Sequence, residues 1–396
     1  MKQMTAIIEN DIFFPSSWLK ACSKIIFRGA KGMVIPLIGD YTAINIASIY
    51  SLIDQKAIIV PLINDSTVND KLGIALKENP LYDKLRDLNH AGIVLFTSGS
   101  SGEPKASVHD LDVLINKFKG GNKHITLGFM PFDHMGGLNT LLHTIENKGT
   151  FVICDDKSPK NICNLISKYN IDTLPVSPSF LNLLLLSGEY KNYNLSSLRT
   201  ISYGSEVMPP SLLKRIKEIF PNINLYQTYG LTETGVFKIK SKEDSLFFKI
   251  NNANTRIVNN ILQIKSVYSM LGYINAESPF TEDGWYITGD VVEVEGEYIR
   301  IIGRDSKMIN IGGDKCSPNE IENVIYKMDN IAKVTIFKEN DIILGSKICA
   351  DIQLVIPEDE GGFTLRLRKF LKDKVKPFMI PSKIIFSNTQ LKGFKK

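Results

Sequence analysis

The chain has 396 residues, of which 43% are apolar and 22% charged, and its formal net charge is +5. These are the proportions of a folded protein with ample core for two or three domains, and they exclude a disordered or fibrous chain. The lysines are spread along the sequence without a dense basic block, so the charge implies no nucleic-acid partner.

No apolar run approaches the roughly 20 residues needed to cross a bilayer, so no membrane span is expected. The opening M-K-Q-M-T-A-I-I-E-N-D places acids where a signal peptide carries its long apolar core. The five cysteines (Cys22, Cys154, Cys163, Cys316 and Cys349) are scattered and never form C-x-x-C, which points to a reducing compartment without a zinc site. Cytoplasm is the expected location.

In chain order, residues 1–90 alternate helices and strands. Gly32 to Leu37 and Ala57 to Leu62 are apolar, β-rich runs, and Tyr41 to Ile53 between them has helical spacing. A strand–helix–strand unit with short connections implies parallel pairing. Ile93 to Phe96 is a further buried strand, and it empties into Thr97, Ser98, Gly99, Ser100, Ser101, Gly102, Glu103, Pro104 and Lys105. Glycine and small hydroxyl residues leave backbone N–H groups free to form a concave nest for anionic oxygens, and a terminal lysine can reach a phosphate. The same composition suits a flexible surface linker. The preceding strand and the stiff Pro104 argue against that, although the run does not fit G-x-x-x-x-G-K-[ST].

T-S-G-S-S-G-E-P-K resembles the phosphate-loop signature of the adenylate-forming enzymes: acyl- and aryl-CoA synthetases, peptide-synthetase adenylation domains and luciferase. Further motifs follow in the family's order. A helix is expected over H-D-L-D-V-L-I-N-K-F and a strand over Ile125 to Phe132, leading into Asp133-His134-Met135-Gly136-Gly137. A histidine there is as compatible with a satisfied turn as with a ligand. P-F-D-H-M-G-G-L is similar to the acyl-CoA synthetase motif P-x-x-H-x-x-G-L, and the resemblance implies that His134 lines the carboxylate pocket. Amino-acid-activating relatives carry an aspartate at that place. A desolvated ammonium without such a partner is costly, so an α-amino acid is disfavoured and a small or medium acyl or aryl acid is expected.

Beyond this lie a helix from Leu138 to Glu146, a strand from Thr150 to Ile153, a helix from Pro159 to Tyr169 and a strand from Asp172 to Val176. Leu198 to Tyr203 leads into Gly204-Ser205-Glu206, which in the family lies against adenine and the acyl pocket. L-Y-Q-T-Y-G-L-T-E-T delivers an aromatic plane, a hydroxyl and a carboxylate within five residues, suited to a purine, a phosphate and a magnesium ion. A strand end followed by a capped helix would use the same residues. The resemblance to Y-G-x-T-E implies Tyr229 and Gly230 at adenine, Thr232 at the α-phosphate and Glu233 on Mg²⁺.

G-W-Y-I-T-G-D resembles the ribose motif, with Asp290 accepting from both hydroxyls. The following V-V-E-V-E-G-E-Y-I-R-I-I-G-R-D reads as a hairpin turning at E-G-E, and it ends at Arg304, the expected cation of the ribose and phosphate edge. The family's hinge residue falls on Ser306, a departure. In I-N-I-G-G-D-K-C-S-P-N-E-I-E, Gly312 and Gly313 resemble the family's pantetheine-tunnel loop, while Ser317 and Pro318 start a helix. A helix over Leu365 to Val375 and a strand over Lys383 to Phe386 follow. In the terminal Q-L-K-G-F-K-K, Lys392 is the candidate for the family's catalytic lysine, with Lys395 second. The glycine that precedes that lysine in the family is missing, and a solvated basic tail fits equally.

The expected fold is α/β. A large N-terminal AMP-binding domain of mixed and parallel sheets flanked by helices (1–303) is joined by a hinge to a small mobile α+β C-terminal domain (304–396). The resemblance implies ATP-dependent activation of a carboxylic acid to an acyl-adenylate with pyrophosphate release, then thioester formation. ATP, Mg²⁺ and coenzyme A are implied, or a carrier-protein phosphopantetheine in place of coenzyme A. A catalytically degenerate nucleotide-binding protein is the alternative from another class. The segment before residue 30 is shorter than is usual in the family.

Overall fold

The computed structural model describes residues 5–98, 104–118, 120–242, 245–311, 314–341 and 345–387. Two sheets organise the first part of the chain. One has seven strands, and its pairings are parallel except for the edge hairpin Thr5–Glu9 with Ile12–Pro15. From the hairpin outward its other strands are Thr150–Ile153, Ile125–Gly128, Thr173–Val176, Thr200–Tyr203 and, at the far edge, Asn224–Gln227. The other has five strands, with Val34–Ile38, Ile58–Leu62 and Gly92–Ser98 running parallel. The strand–helix–strand expectation holds, since the helix Ala43–Asp54 joins the first two of these.

Alternation along the strands determines what lies between and outside the sheets. Ile59, Ile93 and Leu95 point into a core shared with Ile7, Phe151 and Ile153 of the other sheet, and the helices Ala43–Asp54 and Met135–Glu146 fill the gap. The intervening Ile58, Val60 and Val94 face the opposite way, onto Tyr82 and Leu85 of the outer helix Pro80–Leu88. The outer face of the seven-stranded sheet is covered by the helices Pro159–Tyr169, Pro178–Ser187 and Pro210–Ile219. Helix, sheet, helix, sheet and helix therefore stack in layers, each burying one apolar face.

One strand differs from the sequence expectation. Pro104–Asp110 is a strand, antiparallel to Gly92–Ser98, so the chain on either side of the glycine-serine run pairs as a hairpin. The helix expected from His109 begins only at Leu111, capped by the Asp110 carboxylate, which accepts from Val113 N at 3.1 Å. The polar residues Ser107 and His109 are fully buried on one face of this strand, which blurs the period-two signal. Likewise the strand begun at Ile125 ends at Gly128 rather than Phe132.

Downstream, a six-stranded antiparallel sheet contains the hairpin Tyr286–Glu295 with Tyr298–Arg304, turning at Glu295-Gly296-Glu297 as expected. From Ile309 the chain builds a separate core around Ile321, Phe363 and Leu367, against a sheet of Ile331–Asp341, Gly345–Leu354 and Lys383–Phe386. Ser317 and Glu320 form a reciprocal capping box on Pro318–Ile325. The last helix spans Glu360–Leu371, starting five residues before the expected Leu365 because Asp359 caps it.

Candidate active site

A cleft of about 940 Å³ opens at the C-terminal ends of the parallel strands, where α/β sheets bind ligands. Strand ends deliver Pro178 and Ser179, Ser205 and Glu206, and Gln227 and Thr228 to its wall. Two of these ends approach very closely. A Cβ on Gly204 would stand 2.2 Å from the Thr228 hydroxyl, so only glycine fits there. The next residue, Ser205, takes a left-handed backbone (φ 65°), a strained conformation that turns the chain out along the cleft. The Glu206 carboxylate caps the helix Pro178–Ser187, accepting from Ser179 N at 3.0 Å and Ser179 Oγ at 2.6 Å.

The segment Tyr229–Leu231 turns back on Gly235–Phe237 as a small hairpin, and its tip carries Thr232 and Glu233. No helix follows Thr232, so its hydroxyl is not used as a cap; it makes no hydrogen bond among the described residues. A Cβ on Gly230 would meet the Gly235 carbonyl oxygen at 2.5 Å, which explains glycine in the middle of the motif. Tyr229 packs its ring beside Phe237 and Phe248 and donates its hydroxyl to Asp290 Oδ2 at 2.6 Å.

Asp290 and Arg304 stand directly opposite each other across the neighbouring hairpin. Arg304 Nε lies 2.7 Å from Asp290 Oδ1, and Arg304 Nη1 donates to the Thr288 carbonyl at 3.0 Å. Asp290 is only 4% exposed. Burial raises its carboxyl above the ordinary range, against the opposing pull of Arg304 and the Tyr229 hydroxyl.

Thr97 reaches the cleft from the strand that enters the glycine-serine run, and Lys105 faces it across that hairpin. Gly99, Ser100, Ser101 and Gly102 fall outside the described residues, as does the side chain of Ser98. The lysines Lys392 and Lys395 and the glycines Gly312 and Gly313 also lie outside. His134 is not among the residues lining the cleft. It sits at the N-cap of Met135–Glu146, its ring 2.7 Å from the Asp133 carboxylate, with Asp133 itself buried.

Sequence reasoning missed Tyr273 and Tyr286. The Tyr273 hydroxyl donates to Glu233 Oε1 at 2.7 Å, and the Tyr286 hydroxyl is pushed up by burial and, after that, by the nearby Glu233 charge. The only local signal is an aromatic residue after glycine in S-M-L-G-Y, because the partner stands forty residues upstream. The structure thus brings Thr97, Ser205, Glu206, Tyr229, Gly230, Thr232, Glu233, Asp290 and Arg304 to one cleft. Among the described residues no group of three or more His, Cys, Asp or Glu side chains encloses a metal. One carboxylate beside one hydroxyl instead fits magnesium shared with substrate phosphates, which needs few protein ligands.

Residues 30–259, more than half of the chain, match the family described as AMP-binding enzyme. The indoleacetate–CoA ligase of Aromatoleum aromaticum is 25% identical over 330 residues, covering 74% of this chain and 63% of that ligase, slightly under two thirds of its length. The D-alanine–D-alanyl carrier protein ligase of Staphylococcus epidermidis is 25% identical, over 76% of this chain and 68% of that protein. In three dimensions the chain resembles the anthranilate CoA ligase AuaEII solved with anthranoyl-AMP. The TM-score is 0.79 at 16% identity, and the alignment covers 97% of this chain and 91% of the other. The α/β fold expected from the motifs is that of these ligases, and the chain belongs to the AMP-binding enzyme family.

Proposed function

We propose that the protein activates a carboxylic acid with Mg-ATP and passes the acyl group to the thiol of coenzyme A. In the first step a carboxylate oxygen attacks the α-phosphorus. The bond from that phosphorus to the bridging oxygen breaks, pyrophosphate leaves, and an acyl-adenylate remains. In the second the thiol sulfur attacks the acyl carbon, AMP leaves and the thiol proton is lost. The observation that carries this reading is the convergence of Thr232, Glu233, Asp290 and Arg304 on a single cleft at the strand ends.

Each residue has a role its chemistry suits. Asp290 takes the ribose hydroxyls, with Arg304 holding the carboxylate in place. Tyr229 offers the edge of its ring to the adenine, and the glycine-serine run with Thr97 and Lys105 receives the outer phosphates. Thr232 donates to the α-phosphate, and Glu233 would hold magnesium, which supplies charge stabilisation to the phosphates when bound. His134, which does not line the cleft itself, is assigned to the acyl pocket by the P-F-D-H-M-G-G-L motif alone, and Lys392 is the candidate for the lysine that meets the carboxylate. Residues 304–396 form a small domain that rotates about the turn Asp305–Lys307, alternating Lys392 with the thiol channel. Catalysis is then mainly positioning and electrostatic stabilisation. A carrier-protein phosphopantetheine is the alternative acceptor, favoured by the likeness to the D-alanyl carrier protein ligase.

The test is pyrophosphate release from Mg-ATP over a panel of acyl, aryl and amino acids, with hydroxylamine to trap the adenylate and no thiol present. Release with a small or medium acyl or aryl acid is expected. ATP binding with no release from any acid would favour the degenerate nucleotide-binding reading.

A further inference from the structure

A short segment beyond the matched family region ties the phosphate-loop hairpin to Glu233. Gly272–Tyr273 pairs antiparallel with the strand that leaves the glycine-serine run, with Tyr273 opposite Ser107. Two residues on, Asn275 Oδ1 accepts from Ala106 N and its Nδ2 donates to the Pro104 carbonyl, both at 2.9 Å, pinning the start of that strand. Lys105 Nζ lies 5.6 Å from the centre of the Tyr273 ring. At the other end of the segment, Met270 N donates to the Glu233 carbonyl at 2.7 Å, and the Tyr273 hydroxyl holds Glu233 Oε1.

The backbone and the carboxylate of Glu233 are therefore fixed by the same six residues that brace the loop's exit strand. With Oε1 held by Tyr273, the carboxylate's orientation toward the cleft is set before any ligand arrives. We infer that Tyr273 is a positioning residue, orienting the Glu233 carboxylate for the metal of Mg-ATP and coupling that orientation to the phosphate-loop hairpin through Lys105 and Ser107. Partners that orient a metal ligand typically matter by about 10–100-fold in metal affinity.

The inference rests on the reading of Glu233 as the metal-holding carboxylate, and the experiment separates the two. ATP affinity is measured by calorimetry with and without Mg²⁺ for wild type, Tyr273→Phe, Glu233→Gln and the double variant. Tyr273→Phe keeps the ring and its packing. It is expected to leave metal-free ATP affinity unchanged and to reduce the tightening by Mg²⁺ about tenfold. In the Glu233→Gln background the same change should have no further effect. Tyr286→Phe, which removes a buried hydroxyl near the same carboxylate but no hydrogen bond to it, should leave the tightening by Mg²⁺ unchanged, and Tyr273→Met, expected to give the same selective loss, serves if Tyr273→Phe fails to fold. Equal loss with and without Mg²⁺, or no change in either, would overturn the role of Tyr273 while leaving the Glu233 reading intact. A wild-type ATP affinity indifferent to Mg²⁺ would overturn both.

Discussion

The large cleft and a smaller groove of about 500 Å³ beside Gly32, Leu76 and Arg86 are both concave, and both are edged by charge. They differ in what their polar groups are doing. In the groove Arg86 donates to the Gly32 carbonyl at 3.0 Å and pairs with Glu78 at 2.8 Å and Asp83 at 2.9 Å, while Lys56 is paired with Asp112. Arg86 and Lys56 are thereby consumed in holding neighbouring elements together. In the cleft, Thr232 has no partner among the described residues, Glu233 is held by one oxygen from the side, and a left-handed serine is kept in place at a strand end. A binding site is marked here by aimed groups at strand ends and by local strain, more than by concavity.

The largest effect expected is at the cleft. Glu233→Gln should lower pyrophosphate release by about 10²–10³-fold while metal-free ATP binding persists, since a neutral amide cannot stabilise metal-borne charge as a carboxylate does. Turnover within a few-fold of wild type would break the comparison.

Next comes Asp290→Asn. Losing charge-assisted hydrogen bonds to ribose should weaken ATP binding by about 10–100-fold. Its stability effect has a defined sign. A carboxyl whose pKa is raised by folding stabilises the fold at low pH and loses that contribution as pH rises through the raised value. The melting temperature of the variant relative to wild type should therefore improve from pH 4 to pH 8.

In the groove, Arg86→Ala should cost stability of about 1 kcal/mol from its hydrogen bonds, visible in urea denaturation. The KM for ATP and for the acid should not move, and a shift in either would mean that the groove takes part in function.

The smallest effect on function concerns Lys117, which anchors the strand behind the Thr232–Glu233 tip by donating to the Val236 carbonyl at 3.3 Å. Burial, with Lys238 nearby, pushes its ammonium down to about 7. Between pH 7 and the ordinary lysine value near 10.5 the unfolded chain holds the extra proton, so stability from this group rises with pH across that window. Lys117→Met should raise the melting temperature most at pH 7 and below, with the gain shrinking toward pH 10.

Much of this was legible because the signals are local. Pro159 to Tyr169 and Lys383 to Phe386 carry their boundaries in a proline start or a short β-branched run, and Ser317 with Glu320 spells a capping box in four residues. The E-G-E turn was legible, but a bulge between Val291 and Val292, which no local signal marks, shifts the register by one residue and sets Asp290 against Arg304. What escaped depends on distant partners. Pro104–Asp110 is a strand because it pairs with Gly92–Ser98 and Gly272–Tyr273, while its buried Ser107 and His109 hide the alternation. The tyrosine on Glu233 has no signature beyond an aromatic after a glycine, and the cap that Glu206 places on Ser179 spans 27 residues.

The most direct test of the central claim is exchange of labelled pyrophosphate into ATP, driven by a carboxylic acid in the absence of thiol. It reads formation and reversal of an acyl-adenylate and nothing later. Exchange that requires both Mg²⁺ and the acid, and that disappears in Glu233→Gln, is the predicted result. Wild-type protein that binds ATP but exchanges no pyrophosphate with any acid would contradict the account.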